Sequence, residues 1–269
     1  MSVTYVSACV DIGREFIHST LQRSFEGYIR TTGANLETRL PLYLFTNAGF
    51  DIPSHRNSSN TVIEHFDRAT LMQRAYRKNL YKEAYARADA VKSGPCSELD
   101  AYAPLVVGKL QMIKRVMQLN PFNTEYFAWI DTPFTYGLDG SLDSEERCAD
   151  FSRRVAALAG SENKWLHLAH QSPRLDLFWS SRINKWMPQG VCPSMQTFGF
   201  FWVVSRQTFA HPYRYMMSQY RDLLNDGVIA TEELLCDIAR ANHPEWFTSL
   251  ELELPGYKQH LSKILRELS

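Results

Sequence analysis

The feature that most constrains the fold is an apolar run at positions 126–134, which reads Tyr-Phe-Ala-Trp-Ile-Asp-Thr-Pro-Phe. Aromatic and β-branched residues in a short run of this kind predict a buried strand. The strand ends at Asp131, and Pro133 cannot continue the hydrogen-bond ladder. Because open α/β sheets bind ligands at the carboxyl ends of central strands, we predict that Asp131 belongs to a ligand site. The structural alternative is that Asp131 caps a turn ahead of Pro133.

The rest of the chain alternates predicted strands with predicted helices. Strands are predicted at 3–10, 41–47, 61–66, 126–131, 164–170, 196–204 and 250–254. Helices are predicted at 16–29, 68–92, from the Ser-Gly-Pro break at 93–95 to 119, and at 143–160, 212–225, 231–242 and 256–268. This alternation predicts βαβ units and a mainly parallel sheet flanked by helices. Gly199 predicts a bulge or a close backbone approach, and the aperiodic stretch 171–194 predicts a substrate-contacting loop.

Composition excludes several classes of protein. The 29 basic and 29 acidic residues give zero net charge, which argues against bulk nucleic-acid binding. No apolar stretch approaches the roughly 20 residues that span a bilayer, and no signal-peptide pattern opens the chain. We therefore expect a soluble, cytoplasmic protein. The five cysteines form no C-x-x-C pair, so we expect reduced and mostly buried thiols.

Short motifs occur in a recognisable order along the chain. They are D-I-G-R at 11–14, N-P-F-N at 120–123, W-I-D at 129–131, G-F-F at 199–201 and T-E-E at 231–233. Together they resemble the HtrL/YibB family, bacterial proteins often encoded with surface-polysaccharide genes and related to GT-A glycosyltransferases. The resemblance covers roughly residues 3–245. This chain departs from the pattern at Thr132 and Pro133, where many GT-A enzymes carry a second aspartate, and its acidic motif lacks a leading aspartate.

The resemblance implies a fold and an activity. The fold is a GT-A-like single α/β domain with a mainly parallel central sheet, in which residues 1–136 bind a nucleotide sugar and residues 137–269 bind the acceptor. The activity is that of a glycosyltransferase, which moves a sugar from a nucleotide diphosphate to an acceptor hydroxyl in surface glycan biosynthesis, assisted by Mn²⁺ or Mg²⁺. The implied partners are a nucleotide-sugar donor and a glycan or glycolipid acceptor, with no nucleic acid and with peripheral membrane association left open.

Two other functions are compatible with the sequence. The first is a catalytically silent GT-A-like protein that binds nucleotide sugars or acts as a scaffold, which the absent second aspartate favours. The second is a nucleotidyltransferase. That reaction commonly uses a glycine-rich basic loop after the first strand, and the segment 11–14 has a single glycine, so we rank it below the other two.

On the donor side, the resemblance implies roles for Asp11, Arg14, Lys109 and Asp131. Asp131 is the candidate metal ligand, because Mg²⁺ and Mn²⁺ prefer oxygen donors and often complete their coordination with substrate phosphates. Arg14 suits bidentate contact with a phosphate, and Asp11 suits either that arginine or the ribose or base. The structural alternatives are a surface salt bridge between Asp11 and Arg14, and a lysine at position 109 that extends to solvent.

On the acceptor side, Glu232 or Glu233 is the candidate general base, and acids that merely favour a helix N-terminus give the same pattern. Tryptophan rings stack well on sugars, but Trp179, Trp186 and Trp202 are each more typical of core residues. Trp179 and Trp186 lie in the aperiodic stretch and are the better candidates for acceptor binding. Residue type alone suggests that a histidine is the second metal ligand. For each candidate histidine, a structural role is favoured over metal binding. These candidates are His167, His170, His243 and His260.

Overall fold

The structure is a computed structural model that describes residues 2–11, 29, 32–33, 35–67, 69–70, 78–86, 91–92, 102–131, 142, 144–161, 163–174, 183–189 and 195–252. Nine strands lie within these ranges: β1 Val3–Cys9, β2 Leu42–Thr46, β3 Thr61–His65, β4 Val91–Lys92, β5 Tyr126–Ile130, β6 Trp165–Arg174, β7 Met195–Ser205, β8 Val228–Ile229 and β9 Phe247–Leu252. Five α-helices accompany them there: α1 Lys78–Ala86, α2 Tyr102–Leu119, α3 Glu145–Ser161, α4 Arg206–Asn225 and α5 Glu232–Asn242. Short 3₁₀ helices occupy Asn184–Trp186 and Pro244–Trp246.

Seven of the described strands form one sheet in the order β3-β2-β1-β5-β7-β6-β9. Strands β3, β2, β1 and β5 run parallel to one another, and β9 runs parallel to β6. Strand β7 is antiparallel to both of its neighbours, β5 and β6. The structure therefore confirms the predicted class, an α/β fold with a mainly parallel central sheet flanked by helices. Strands β4 and β8 form a separate two-stranded parallel ribbon.

Strands β2 and β5 are buried on both faces, which explains why they are apolar runs rather than alternating patterns, whereas the edge strand β3 is partly exposed. Side chains alternate between faces along β5: Phe127 and Trp129 join one core, and Tyr126, Ala128 and Ile130 join the other. The first core also contains residues of α2, α4 and α5, and the second contains residues of α3. Residue 131 has the same parity as Trp129, so it faces the side of the sheet that α2 and α5 cover.

Both halves of the chain contribute to the main sheet. Strands β1, β2, β3 and β5 precede position 137, and strands β6, β7 and β9 follow it. The assignment of donor binding to 1–136 and of acceptor binding to 137–269 stays a prediction. Cys9, Cys148 and Cys236 are buried, as expected. Within the described residues, none of the helices combines the length and the apolar character that crossing a membrane requires.

Several sequence-based boundaries are wrong. The helix predicted to begin at Pro212 begins at Arg206, because Ser205 and Thr208 form a reciprocal capping box directly after β7. The helix predicted over 68–92 does not extend to Lys92, because Val91–Lys92 is a strand that pairs in parallel with Val228–Ile229. Gln171–Arg174, predicted as loop, continues β6. The last strand begins at Phe247 rather than at 250. The predicted helix 256–268 lies outside the described residues.

Candidate functional site

Asp131 lies directly beyond β5, at the carboxyl edge of the sheet. This position agrees with the prediction that Asp131 follows the end of a buried strand, and its role in ligand binding stays a prediction. The side chain of Asp131 is 31% exposed, so solvent or a ligand can reach it. Its face of the sheet is covered by α2 and α5, and each of these helices brings a charged residue to it.

Lys109 is the charged residue from α2, and it is buried rather than extended to solvent. Its ammonium lies 3.1 Å from Oδ1 of Asp131 and 2.5 Å from Oε1 of Glu232. It also donates a hydrogen bond to the backbone carbonyl of Gly199 at 2.9 Å. An ammonium has three N–H donors, and here each has an acceptor. The interpretation of Lys109 as a lysine whose head group remains in solvent is therefore wrong.

Glu232 and Glu233 begin α5, which starts at the same edge of the sheet. Glu232 is 2% exposed, and its second oxygen, Oε2, has no hydrogen-bond partner among the described residues. Glu233 is half-buried, and its Oε1 accepts a hydrogen bond from the backbone N–H of Gly199 at 3.2 Å. The two glutamates therefore differ, because one is tied to the buried lysine and the other lies nearer to solvent.

Gly199 links Glu233 to Lys109 through its backbone N–H and carbonyl. A Cβ at this position would collide with the carboxylate of Glu232, with Cδ only 3.0 Å away, and would lie 3.0 Å from Oε1 of Glu233. The pairing of β6 with β7 is irregular here, since His167 is opposite Trp202 while the next residue, Leu168, is opposite Phe198. The structure therefore confirms the prediction of a bulge with a close approach at Gly199.

Trp129 also contacts Asp131. Its indole N–H donates a hydrogen bond to Oδ1 of Asp131 at 2.7 Å, so this oxygen receives both the indole and the Lys109 ammonium. The indole is buried against Trp202, with ring centroids 6.3 Å apart, and the ammonium lies 5.5 Å from the Trp129 ring. Trp129 therefore fixes one oxygen of Asp131 through a side chain that cannot itself move freely.

The electrostatics of the cluster follow from burial and from like charges. Burial by itself lowers the pKa of the Lys109 ammonium, but the carboxylates of Asp131, Glu232 and Glu233 outweigh it and raise that pKa. Burial raises the pKa of Glu232, and the Lys109 charge only partly offsets this effect. Burial likewise raises the pKa of Glu233, against the opposing effects of Lys109 and of the Gly199 N–H. The site thus contains three carboxylates that share one buried cation.

The donor set limits how a divalent metal could bind. In the part of the chain that the structure describes, no three His, Cys, Asp or Glu side chains group closely enough to hold a metal ion. Oδ1 of Asp131 is already engaged by two N–H donors, and Glu232 is paired with Lys109. The residues present fit a metal ion through the part-exposed carboxylate of Asp131, with the remaining ligands supplied by diphosphate oxygens and water, an arrangement common for Mg²⁺.

Asp11 and Arg14 are the other two residues predicted to bind the donor, and only Asp11 lies within the described part of the chain. Asp11 follows β1, and its backbone N–H donates to Oδ1 of Asn47 at 3.2 Å. Val6 pairs with Trp129, so Ala8 is level with Asp131 across the sheet. Asp11 follows Ala8 by three residues, which corresponds to roughly 10 Å of extended chain. Arg14 lies outside the described residues. The donor-binding roles of both residues stay predictions.

Trp186, the predicted acceptor residue that the structure describes, is not brought to this cluster. Trp186 ends a 3₁₀ helix, and its backbone carbonyl accepts a hydrogen bond from Asn242. Asn242 ends the helix that Glu232 begins, so this contact lies about 15 Å along the helix axis from the glutamate. Trp179 lies outside the described residues. The acceptor-binding roles of Trp179 and Trp186 stay predictions, and Trp202 is a buried core residue, as expected.

The histidines whose side chains are described lie elsewhere. His167 is buried in β6, and its Nε2 lies 3.0 Å from Oγ of Ser249. His243 follows α5 and stacks on Trp246, with ring centroids 3.9 Å apart. The side chain of His170 and all of His260 lie outside the described part of the chain. Neither described histidine is brought to Asp131 as a second ligand.

No family model matches the chain, and no curated protein matches it either. The resemblance to the HtrL/YibB family therefore stays a prediction. Among solved structures, the chain is similar to the apo form of mouse xyloside xylosyltransferase 1, at 10% sequence identity and a TM-score of 0.46. That match covers 93% of this chain and 85% of the mouse protein.

Sequence reasoning missed two members of the site as functional residues. Trp129 was assigned only to the strand, yet its N–H binds Asp131. The available signal was the spacing of two, since residues two apart on a strand share a face. Asn35, buried at the other side of Asp131, donates from Nδ2 to the Asp131 carbonyl at 3.5 Å. Nothing in the sequence around Asn35 indicated this contact.

Proposed function

We propose that this protein is a glycosyltransferase that moves a sugar from a nucleotide diphosphate to an acceptor hydroxyl. The observation that carries the proposal is the cluster at the carboxyl edge of the sheet, where the part-exposed Asp131 adjoins the buried Lys109 and two glutamates. Burying three carboxylates around one cation has an unfavourable desolvation free energy. Ionisable groups with strongly shifted pKa values concentrate at functional sites. The order of the sequence motifs supports glycosyl transfer over other reactions.

In the proposed reaction, the acceptor oxygen forms a bond to the anomeric carbon of the sugar as the bond from that carbon to the diphosphate breaks. The electron pair of the broken bond leaves with the diphosphate, and the acceptor proton passes to a carboxylate. Asp131 is the residue that would hold Mn²⁺ or Mg²⁺ together with the diphosphate oxygens. When bound, such an ion would neutralise the charge that develops on the leaving group.

Of the two glutamates, we assign the general base to Glu233. A base must come within hydrogen-bond reach of the acceptor hydroxyl, and Glu233 is the less buried of the pair. The backbone N–H of Gly199 orients its carboxylate. Burial raises its pKa, which makes it a stronger base than an ordinary surface carboxylate. Glu232, held by Lys109, supports the site from behind.

The finer part of the proposal, a surface glycan or glycolipid acceptor, rests on the family resemblance. A catalytically silent nucleotide-sugar-binding or scaffold protein is the second candidate, and a specific observation favours it: the Lys109 ammonium engages both Asp131 and Glu232. In a silent protein, that bridge would stabilise the fold without serving a reaction.

One experiment separates these candidates. The protein is heated with UDP-, GDP-, CDP- and dTDP-sugars, each with and without Mn²⁺, and every nucleotide sugar that raises the Tm is then assayed for hydrolysis and for transfer to glycan extracts. Stabilisation that needs Asp131 and is followed by sugar release supports the transferase. Stabilisation without sugar release in any mixture supports the silent binding protein. If no nucleotide sugar raises the Tm, both the transferase and the silent binding protein are excluded.

A further inference from the structure

We infer that the ammonium of Lys109 is the resident cation of this site, which joins Asp131 to Glu232 and prevents Glu232 from acting as a second ligand of a divalent metal. Lys109 is thus a positioning residue. The inference deepens the proposed function, because it concerns the cation chemistry of the same site. Its test reads cation binding and thermal stability rather than turnover, so it can fail while the transferase proposal stands, and the reverse also holds.

The first argument is the geometry of the ammonium. Lys109 contacts Asp131, Glu232 and the carbonyl of Gly199 at distances between 2.5 and 3.1 Å. These contacts use all of its donors and bridge side chains from β5 and α5. A bridging divalent ion would link the same two carboxylates in a conventional two-ligand site. The lysine already provides that link, and it is buried.

The second argument is the unsatisfied oxygen of Glu232. Its Oε2 is buried and has no hydrogen-bond partner among the described residues, although Oε1 is paired with Lys109. Leaving a buried polar atom without a partner is unfavourable. One lysine therefore does not fully compensate the carboxylates around it. If the ammonium were removed, the cluster would carry uncompensated oxygen atoms suited to a hard cation.

The third argument is the exposed side of Asp131. Trp129 and Lys109 both bind Oδ1, while the side chain as a whole is 31% exposed. The carboxylate is therefore fixed by one oxygen before any ligand arrives. Asp131 can contribute to a metal ion that enters with a diphosphate, whereas Glu232 is held behind the lysine. The W-I-D motif therefore needs only one aspartate to bind a metal ion, because the ammonium of Lys109 supplies the second positive charge of the site.

The test compares Lys109→Met with the wild-type chain in Mn²⁺ alone. Methionine keeps most of the apolar stem and removes the charge. We expect 1 mM Mn²⁺ to raise the Tm of Lys109→Met by on the order of 3 °C and to leave the wild-type Tm unchanged. Lys114→Met is the matched control, because Lys114 is exposed on the same helix, and it should resemble the wild type. Adding Glu232→Gln to Lys109→Met should abolish the gain.

A second comparison keeps the inference falsifiable if Lys109→Met fails to fold. The double variant Lys109→Met with Glu232→Gln removes one charge of each sign, so it should fold and melt above Lys109→Met. A double variant no more stable than the single variant would overturn the inference. So would Mn²⁺ stabilising the wild type as much as Lys109→Met, or a folded Lys109→Met that gains nothing from Mn²⁺.

Discussion

The indole N–H of Trp129 donates to Oδ1 of Asp131 at 2.7 Å, so two residues of one short motif are joined across the end of the strand that carries them. Trp129 is fully buried in the core, and Asp131 is partly exposed at the sheet edge. The buried indole therefore fixes the orientation of the part-exposed carboxylate. Side chains that orient a functional group in this way commonly account for a large share of its effect.

Trp129→Phe should weaken nucleotide-sugar binding by roughly 10-fold, because it removes the donor that orients Asp131. The matched control is Trp202→Phe, which removes a buried indole whose N–H has no partner among the described residues. Both variants should lose on the order of 1 to 2 kcal/mol of stability from the smaller ring. Titration calorimetry with the donor that stabilises the wild type measures the difference. Equal binding losses in the two variants would show that the indole N–H has no specific role.

Gly199→Ala should destabilise the protein by about 1 to 3 kcal/mol, because its Cβ has no room beside the carboxylate of Glu232. Gly49→Ala is the control, since a Cβ there meets no atom within 4 Å. It should change the free energy of unfolding by less than about 0.5 kcal/mol. Urea unfolding of both variants provides the measurement. A neutral Gly199→Ala would mean that the glutamates are not packed as described.

The stability of the protein should fall in acid partly through His167. Burial lowers the pKa of His167 from 6.5 to about 3, with a smaller contribution from the nearby Arg240 charge. Between those pH values the unfolded chain takes up a proton that the folded chain does not. Stability therefore falls as the pH falls, by up to about 1.4 kcal/mol per pH unit.

The variant His167→Gln should remove that contribution while keeping a polar group near Ser249. We expect its free energy of unfolding, measured by urea titration, to fall less than that of the wild type between pH 6.5 and pH 4. At pH 7.5 and above the two curves should run parallel. A variant with the same acid sensitivity as the wild type would exclude His167 as a source of it.

Ser205→Ala should cost about 1 kcal/mol, because it removes the N-cap of α4. The Ser205 hydroxyl accepts from the Thr208 N–H at 3.2 Å, and the Thr208 hydroxyl accepts from the Ser205 N–H at 2.9 Å. Ser161→Ala, at an exposed serine in the last turn of α3, is the control and should be close to neutral. Denaturant unfolding measures both. A larger cost at Ser161 than at Ser205 would contradict this cap assignment.

The fold was largely predictable from the sequence because its central strands are apolar. The runs at 126–130 and 198–204 are apolar throughout, and such runs leave few alternatives to a central strand. The start of α4 was not predictable in the same way. Strand β7 passes into the helix at Ser205 without a turn residue, and Pro212 lies inside the helix rather than at its start. The rule that proline marks the start of a helix therefore predicts the start of α4 at Pro212, which is too far along the chain.

Four members of the candidate site are predictable from the sequence, but Trp129, Asn35 and the connections among the members are not. The end of the predicted strand indicates Asp131, and the family resemblance implies Lys109, Glu232 and Glu233. Helical periodicity places Lys109 at the edge of an apolar face, and a lysine there usually extends to solvent. Its burial depends on the packing of α5 beside α2, which brings Glu232 to its ammonium. Contacts between residues 123 positions apart leave no local signal in a single sequence.

The most direct test of the central claim is the rate of sugar release from the stabilising nucleotide sugar by the wild type, Asp131→Asn and Asp150→Asn. Asp150 pairs with Arg153 and Arg154 on α3, so it controls for loss of an aspartate away from the site. We predict that kcat/KM falls about 100-fold or more in Asp131→Asn and stays within about twofold in Asp150→Asn. Wild-type activity in Asp131→Asn would contradict the account.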